Sequence, residues 1–186
     1  MSVQLIRHRF TVGEYHRLAE AGVLREEDRV ELIEGEIIEM TPIGLRHAAA
    51  VDLLTRWLVQ GSGSRAVVRV QGPIQLGLES EAQPDLAVLK PQDDFYRQKG
   101  PAPDDVLLLI EVADTSLAYD QRVKLPLYAR AGVREVWLVD LVRNRVEVCA
   151  DPGPDGYRRV ETRARGDTLV PATFPELSLS VDALLG

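Results

Sequence analysis

The stretch Val106–Asp140 reads VLLLIEVADTSLAYDQRVKLPLYARAGVREVWLVD, and it decides the fold class of the chain. Its first five residues, Val106–Ile110, form a continuous apolar run, which is typical of a strand buried on both faces. Ser116–Ala131 is predicted to be a helix that ends at Gly132. Glu135–Asp140 is predicted to be a second strand, again with apolar residues on both faces. A strand, a crossover helix and a strand predict one parallel pair inside a mixed sheet.

The sequence before this stretch predicts a helix, a hairpin and a second helix. Thr11–Ala21 has the pattern of a short helix, and its first residue forms a capping box with Glu14. Arg29–Met40 alternates between apolar and polar residues, and Glu34-Gly35 marks a tight hairpin turn. Apolar residues recur at helical spacing in His47–Gln60, which predicts a helix ended by the glycines that follow.

The rest of the sequence predicts further strands. They are Ala66–Val70 and Ile74–Leu78 on either side of Gly72-Pro73, then Pro84–Leu89, and Val142–Cys149 as the hairpin partner of Glu135–Asp140 through Arg143-Asn144-Arg145. Lys90–Asp105 is predicted to be a loop, and the end of the chain to be short strands and turns with a final helical turn at Val181–Leu185. The expectation is a single α/β domain over residues 1–186, a mixed sheet flanked by helices with an N-terminal helix and β-hairpin.

Composition limits the classes of protein that the chain can belong to. A length of 186 residues suits one domain with a substantial core. Cys149 is the single cysteine, so there is no disulfide framework. Met1–Phe10 lacks the apolar region of a signal peptide, and no apolar run approaches the ~20 residues of a membrane span. A cytoplasmic protein without a membrane segment is expected.

The charge distribution neither supports nor excludes binding to nucleic acid. The net charge is −7, whereas proteins that hold a phosphate backbone usually present a basic surface. Arginines concentrate late in the chain, at Arg143, Arg145, Arg158, Arg159, Arg163 and Arg165. Acidic residues concentrate early, at Glu26, Glu27, Asp28, Glu31, Glu34, Glu36 and Glu39. The simplest interpretation of both groups is a solvated face.

Two carboxylates stand among apolar residues and are candidates for a metal site. Asp85 is second in the predicted strand Pro84–Leu89, and Glu111 directly follows Val106–Ile110. A buried carboxylate is unfavourable unless it is paired or bound to a cation. If the two strands are neighbours, both side chains can share one ion, and two oxygen ligands suit Mg²⁺ or Mn²⁺. Alternatively, each carboxylate pairs with an arginine or caps a helix.

Lys124 is a third candidate, because lysine is rare in this chain. Asp120, Lys124 and Tyr128 are four residues apart and form one stripe of the predicted helix. An adjacent stripe is apolar and is expected to face the sheet: Val123, Leu127, Ala131. Lys124 is therefore expected near the edge of the buried face, where its ammonium can position water or stabilise a phosphate oxygen. The alternative is a simple Asp120–Lys124 helix pair, and Pro126 is expected to disturb the helix.

These residues together resemble a known family. The ordered series is Arg29-Val30-Glu31-Leu32-Ile33-Glu34-Gly35, His47, Gln83-Pro84-Asp85, Glu111-Val112, Asp120, Lys124, Tyr128, Ala131-Gly132-Val133 and Trp137-Leu138-Val139-Asp140. It is similar to the Uma-type endonuclease family of the PD-(D/E)XK nuclease-like superfamily, over about residues 10–185. The resemblance implies a restriction-endonuclease-like mixed sheet between helices, with metal held at the open end of the sheet.

The resemblance also implies roles for individual residues. Asp85 matches the motif aspartate and Glu111 the following acidic position, while the motif lysine is replaced by Ala113. Lys124 matches the position to which the lysine has moved in Uma-type sequences. A further acidic residue is expected from the early region, and Glu31 is the candidate. His47 is either a contact of the site or, more simply, a structural histidine with satisfied hydrogen bonds.

Two functions follow from these residues. The first is a Mg²⁺- or Mn²⁺-dependent nuclease that hydrolyses phosphodiester bonds of DNA, in which Asp85 and Glu111 hold the metal and Lys124 assists. A homodimer would be needed to cut both strands of a duplex in one encounter. The second is a catalytically degraded fold that acts as a binding or interaction protein, which Ala113 and the acidic net charge favour. Order along the chain gives no Ser/His/Asp or Cys/His site and no glycine-rich phosphate loop.

Overall fold

The computed structural model of the chain describes residues 7–25 and 27–186. The helices are α1 (Val12–Glu20), α2 (Leu45–Ser62), α3 (Leu117–Tyr119), α4 (Leu125–Ala131) and α5 (Val181–Leu185), with a π-helical segment, Asp120–Lys124, between α3 and α4. The strands are β1 (Val30–Ile33), β2 (Glu36–Glu39), β3 (Val67–Val70), β4 (Ile74–Gln75), β5 (Glu81–Ala82), β6 (Leu86–Leu89), β7 (Val106–Ala113), β8 (Glu135–Asp140), β9 (Arg145–Gly153), β10 (Gly156–Ala164), β11 (Thr168–Leu169) and β12 (Leu179–Ser180). The expectations for Met1–Ile6 and Glu26 lie outside the described residues.

The predicted strand–helix–strand unit is confirmed and forms the middle of a mixed sheet. Strands β7 and β8 pair in parallel, with Leu109 opposite Val136 and Ala113 opposite Asp140. The six strands lie in the order β10-β9-β8-β7-β6-β3, and the other four pairs are antiparallel. Strand β7 continues to pair with β8 past the apolar run. Glu111 therefore lies inside the strand. The sequence had instead suggested a position at the end of the strand.

Helices cover both faces of this sheet, and alternate residues of β7 point to opposite sides. Leu108, Ile110 and Val112 pack with α2 residues such as Leu54 and Leu58 on one face. Leu109 and Ala113 pack with α4 residues on the other face. Because side chains of a strand alternate, Glu111 shares the α4 face with Leu109 and Ala113. The register of one buried strand thus directs this carboxylate towards the segment that carries Lys124.

A second, four-stranded sheet in the order β2-β1-β5-β4 carries the predicted hairpin. Glu34 and Gly35 form its turn with φ of 48° and 78°, as a two-residue hairpin requires. The helix α1 has the predicted capping box between Thr11 and Glu14. The sequence did not predict β5, which is two residues long, and β3 and β4 belong to different sheets although only Gln71-Gly72-Pro73 separates them.

The predicted helix Ser116–Ala131 is interrupted by the π-helical segment. Pro126 has no N–H to donate and stands at the start of α4, and the N–H of Leu125 donates to the carbonyl of Asp120, five residues earlier. The wider turn rotates the helix, so the predicted positions shift: Val123 is only half-buried, whereas Lys124 is 4% exposed. The expectation that Lys124 lies at the edge of the buried face was wrong.

The predicted hairpin of Glu135–Asp140 with Val142–Cys149 is confirmed as β8 with β9, although β9 begins only at Arg145. A second, longer hairpin of β9 with β10 was not predicted from the sequence. Strands β9 and β10 are nine residues each and pair along most of their length. The sequence of β10 hides this strand because exposed arginines alternate with few apolar residues, which is typical of an edge strand with a solvated face. Helix α2 also begins earlier and ends later than predicted, and Gly61 lies inside it.

The charged groups follow the solvated-face interpretation with one exception that matters for the site. Arg143, Arg158 and Arg159 are exposed, but Glu31 is 2% exposed. Strand β1 is buried along its whole length, so it does not alternate between core and solvent as the hairpin pattern suggested. None of the helices in the described part of the chain is long and apolar enough to cross a membrane.

Candidate functional site

A cavity of about 470 Å³ lies beside the end of β7 and gathers most of the predicted site residues. Five of its lining side chains are charged and at most 9% exposed: Glu31, Asp85, Glu111, Asp120 and Lys124. We call these five side chains the cavity floor. Two further segments line the cavity, residues 39–44 from the end of β2 to the start of α2, and residues 114–116 and 118 after β7. We call these two segments the mouth. His47 also lines the cavity.

Asp85 is held from three directions. It lies directly before β6 and not inside the strand, contrary to the prediction. Its Oδ2 accepts hydrogen bonds from the backbone N–H of Val112 at 2.9 Å and from Nε2 of His47 at 2.9 Å. Its Oδ1 accepts one from Nε2 of Gln71 at 3.2 Å. Strand pairing between β6 and β7 brings this carboxylate next to Glu111, whose Oε2 lies 3.4 Å from the backbone nitrogen of Asp85.

Glu111 is a buried carboxylate with two donors on one oxygen. Its Oε1 accepts hydrogen bonds from Nζ of Lys124 at 3.1 Å and from the hydroxyl of Tyr128. The pKa of Glu111 is raised to about 8, mainly by burial. Lys124 opposes this shift, whereas the charges of Asp120 and Asp85 contribute to it. A cation at Oε2 would favour the ionised carboxylate.

Lys124 is an ammonium shared between two carboxylates. Its Nζ lies 3.1 Å from Glu111 and 3.2 Å from Glu31. Burial lowers the pKa of Lys124, but the charges of Glu111, Glu31 and Asp120 outweigh it, so the pKa stays above its ordinary value. The alternative of a simple Asp120–Lys124 pair does not describe the contacts, because Asp120 accepts a hydrogen bond from the hydroxyl of Ser116 at 2.6 Å.

The structure brings the early acidic residue, Glu31, to the cavity floor. Its Oε2 accepts a hydrogen bond from the backbone N–H of Gln83 at 3.1 Å in addition to its contact with Lys124. Its Oε1 accepts one from the hydroxyl of Tyr119 at 3.1 Å. With donors on both oxygens, Glu31 is placed to hold Lys124 rather than to bind a cation directly.

His47 is not the satisfied structural histidine that was the simpler interpretation. Its Nε2 contacts Asp85, and because a carboxylate only accepts, Nε2 carries the proton. Its Nδ1 is buried without a hydrogen-bond partner. The hydrogen bond to Asp85 raises the pKa of His47, burial opposes the shift, and the charge of Asp85 adds to it. His47 therefore orients the carboxylate of Asp85.

The sequence did not reveal Gln71 and Tyr119 as members of this site. Gln71 contacts Asp85 only because its backbone turns at the end of β3, and no residue pattern marks that turn beyond the following Gly72-Pro73. Tyr119 is five residues before Lys124, and helical spacing alone does not align the two on one stripe. The intervening π-helical segment does so.

Ala113 stands where the motif would have a lysine, and the structure shows what takes its place. Ala113 is fully buried and lies two residues after Glu111, on the same face of β7. A lysine there would share the face with Glu111. In this chain Nζ of Lys124 arrives at Glu111 from the π-helical segment instead.

The donor set of the cavity floor fits a hard divalent cation. The cavity floor holds four buried carboxyl groups and one ammonium, so acidic groups outnumber basic ones. Asp85 Oδ1 accepts one hydrogen bond and Glu111 Oε2 a long one, which leaves lone pairs free on both. Among residues 7–25 and 27–186, no three His, Cys, Asp or Glu side chains are already arranged to hold a metal. A cation would therefore take two protein oxygens and complete its shell with water, as Mg²⁺ often does.

A mixed sheet between helices, with acidic side chains and a lysine beside its central strand, defines a restriction-endonuclease-like protein. The chain belongs to the Uma2 family: the family model, described as "Putative restriction endonuclease", matches residues 12–182. This confirms the resemblance seen in the sequence.

The fold is also that of a solved structure, a "putative nuclease belonging to DUF820" from Anabaena variabilis ATCC 29413. The TM-score is 0.73 at 21% identity, over 95% of this chain and 97% of that chain. This likeness confirms the predicted fold class. No curated protein matches the chain.

Proposed function

We propose that the chain is a divalent-metal-dependent nuclease that hydrolyses phosphodiester bonds of DNA. The observation that carries the proposal is the contact set around Glu111. One carboxylate oxygen binds the buried ammonium of Lys124 and the other lies beside Asp85, at the floor of an open cavity. Membership of the Uma2 family supports the class of reaction.

Asp85 and Glu111 are the residues that would hold the metal. A bound Mg²⁺ or Mn²⁺ would neutralise charge on the scissile phosphate and lower the pKa of a water molecule. His47 and the N–H of Val112 fix the Oδ2 atom of Asp85. Tyr128 fixes Oε1 of Glu111. These hydrogen bonds leave Oδ1 and Oε2 as the oxygens with free lone pairs, so the ligand geometry is set before any cation arrives.

Lys124 is the positively charged group that the protein itself contributes to the proposed site, in addition to a bound metal. Its raised pKa keeps the ammonium protonated at neutral pH, so it donates hydrogen bonds and does not act as a base. Glu31 is its second carboxylate partner, and the hydroxyl of Tyr119 donates to the other oxygen of Glu31. Its role in the proposal is to stabilise negative charge that develops on the phosphate oxygens during hydrolysis.

The alternative function is a nuclease-like protein that binds a partner without cleaving it. Ala113 in place of the motif lysine is the observation that favours it. The two functions share the cavity and differ in whether metal binding leads to hydrolysis, because a fold alone does not determine activity.

The experiment is a titration of Mn²⁺ and Mg²⁺ into the wild type, Asp85→Asn and the control Asp52→Asn by calorimetry, followed by DNA cleavage assays. Asp52 is an exposed aspartate of α2, outside the cavity. We expect the wild type and the control to bind metal and cleave DNA, and Asp85→Asn to lose both. Metal binding without cleavage of any substrate would favour the alternative function. A wild type that does not bind metal would refute both the ligand assignment and the reaction.

A further inference from the structure

The candidate catalytic groups are almost completely buried below the protein surface. Glu31, Glu111, Asp120 and Lys124 are at most 4% exposed, and they lie beneath a mouth formed by two chain segments. Cavities of about 300–1,000 Å³ take one molecule of drug size, and at about 470 Å³ this one has room for one nucleotide. Enzymes that modify a base in a recessed pocket act on a single strand or first extrude the nucleotide from the duplex. By the same steric reasoning, a flexible single strand brings its phosphate to these buried groups more readily than a rigid duplex does.

The mouth of the cavity offers apolar surface rather than a row of cations. Ile43 lines it and is 42% exposed. Leu45 is 91% exposed and Val142 is 60% exposed. Leu45 directly follows Gly44 of the cavity lining, and the guanidinium of Arg46 donates to the carbonyl of Leu141, so the chain segments that carry Leu45 and Val142 are neighbours beside the cavity. Apolar side chains contact the faces of unpaired bases, which are stacked and inaccessible in a duplex.

The charges of the cavity lining also disfavour a duplex. Its permanent cations are Arg29 and Lys124, and Lys124 is already paired with two carboxylates. Carboxylates of the same lining outnumber them: Glu31, Glu39, Asp85, Glu111, Asp114, Asp120. Binding of a duplex depends mainly on many contacts between cations and phosphates. Binding of a single strand gains a larger share from contacts to its bases.

We infer that the substrate enters this cavity as unpaired, single-stranded DNA, with one nucleotide inserted between the two mouth segments and its neighbouring bases on Ile43, Leu45 and Val142. The inference rests on the proposed nuclease function and names the substrate class of the same site. Extrusion of a nucleotide from a duplex costs enough to slow cleavage by about 30- to 100-fold. A gapped or mismatched duplex should be cleaved at a rate between those of the single strand and the full duplex.

The test is cleavage of one labelled oligonucleotide sequence in the presence of Mn²⁺, as a single strand, as a full duplex and as a duplex with a short gap. We expect kcat/KM to decrease in the order single strand, gapped duplex, full duplex, with at least about a 30-fold range. Leu45→Ser is expected to lower kcat/KM on the single strand by about 3- to 10-fold. Val160→Ser, a change of an exposed valine on β10, is the matched control without effect.

The outcomes separate the inference from the proposed function. A full duplex cleaved as fast as the single strand, or faster, overturns the inference and leaves the nuclease proposal standing. If Leu45→Ser cleaves the single strand as fast as the wild type, the assigned base contacts do not exist, and the inference is overturned as well. Failure to cleave all three substrates overturns the nuclease proposal, and the inference with it.

A separate observation concerns the backbone of Gln71, at the end of β3. Gln71 has φ of +48°, in the left-handed region that favours glycine. Its backbone N–H donates to the carbonyl of Asp85 at 3.0 Å, and its side-chain amide donates to Oδ1 of Asp85 at 3.2 Å. Residues in unfavourable backbone conformations persist where the surrounding structure requires them, and often at functional sites.

We propose that Gln71 is a positioning residue that orients Oδ1 of Asp85 for the metal of the proposed function. A glycine at position 71 would suit the backbone better, but it would lack the amide that reaches the carboxylate. The glutamine therefore adopts a less favourable backbone conformation, and its side chain makes a hydrogen bond to the candidate ligand Asp85. Partners of this kind typically change metal affinity by 10- to 100-fold.

The test compares Gln71→Gly and Gln71→Asn with Asp151→Gly. Asparagine tolerates the left-handed conformation but is one carbon shorter, and Asp151 has φ of +57° with its carboxylate near the exposed Arg159. We expect both Gln71 variants to bind Mn²⁺ about 10-fold more weakly by calorimetry. The Tm of Gln71→Gly should be equal to that of the wild type or higher. Asp151→Gly should keep the wild-type affinity.

Two results would overturn the role of Gln71. One is wild-type affinity in both variants. The other is a lower Tm for Gln71→Gly, because the amide would then serve the stability of the fold. A wild type that binds no Mn²⁺ would instead refute the metal site of the proposed function, and with it the role assigned to Gln71.

Discussion

Replacement of Lys124 by methionine is the perturbation that best tests the buried charge cluster. Methionine keeps the length and apolar stem of the side chain but removes the ammonium. Glu111 and Glu31 would then lose the cation that lies 3.1 Å and 3.2 Å from them. We expect Lys124→Met to be strongly destabilised, because a buried charge without its partner is far less favourable than the pair.

The expected magnitude follows from the burial of all three groups. Lys124, Glu31 and Glu111 are between 2% and 4% exposed, so solvent screens them little. Loss of one partner from such a cluster costs about 3–5 kcal/mol. For a chain of this length, each kcal/mol lowers Tm by about 2–4 °C. The variant should therefore melt about 6–20 °C below the wild type.

The cost should depend on pH in a defined direction. The folded-state pKa of Glu111, about 8, lies above its ordinary value of 4.5. Glu111 is thus protonated at pH 6 in the folded wild type, and without Lys124 its pKa rises further. At pH 6 the substitution removes only the favourable interaction of Lys124 with Glu31. At pH 9 it also removes the interaction of Lys124 with the ionised Glu111. The loss in free energy of unfolding should therefore be larger at pH 9 than at pH 6.

The assay is urea denaturation of the wild type, Lys124→Met and Lys99→Met at both pH values. Lys99 is an exposed lysine in the loop between β6 and β7 and controls for the loss of a positive charge. The reasoning is refuted if Lys124→Met costs no more than Lys99→Met, within about 0.5 kcal/mol. A cost that is larger at pH 6 than at pH 9 would refute the assigned role of Glu111.

Three further predictions concern the same structure. The free energy of unfolding of the wild type should fall as pH rises from about 4.5 to about 8, because the folded state retains the proton of Glu111 more tightly than the unfolded state; Glu111→Gln should flatten this slope in thermal melts, and an unchanged slope would contradict the assignment. Mn²⁺ at 100 times its Kd should stabilise the wild type by about 2.7 kcal/mol, measured as a rise in Tm that Asp85→Asn lacks; an equal rise in that variant would place the ion elsewhere. Gly35→Ala should cost about 1–3 kcal/mol, since φ is +78° and the new Cβ would lie 2.5 Å from Cβ of Arg9; Gly13→Ala, in helix α1 with open space around it, should instead stabilise the protein by up to about 1 kcal/mol in the same denaturation experiment.

The central part of the fold was predictable because local and tertiary signals agree there. Val106–Ile110 is apolar without interruption, which is typical of a strand covered on both faces, and in the structure all of the run except Leu107 is buried. The capping box at Thr11 and the Glu34-Gly35 turn are short-range features that a few residues specify. In contrast, β5 consists of two residues and exists through pairing with β1 and β4, which no local pattern encodes.

The sequence predicted those site residues whose type is unusual among their neighbours in the chain. Asp85 and Glu111 stood out as carboxylates in apolar strands, and Lys124 stood out in a chain that favours arginine. The depth at which Lys124 lies was not predictable, because the π-helical segment shifts it towards the sheet. Gln71 was not predictable either, since its contact with Asp85 depends on one backbone angle and on the register of β3 with β6.

Several unfavourable features of the structure meet at one place, and this is the strongest physical argument that the cavity serves a function. An ion cluster is a poor way to stabilise a core, because apolar residues of similar volume usually do as well or better. Here four buried carboxylates, a π-helical turn at Lys124, a left-handed Gln71 and an unpartnered His47 nitrogen surround the same cavity floor. Sequences depart from local rules mainly where function requires it. Stability alone does not explain this convergence, whereas a prearranged set of oxygens beside a fixed ammonium does.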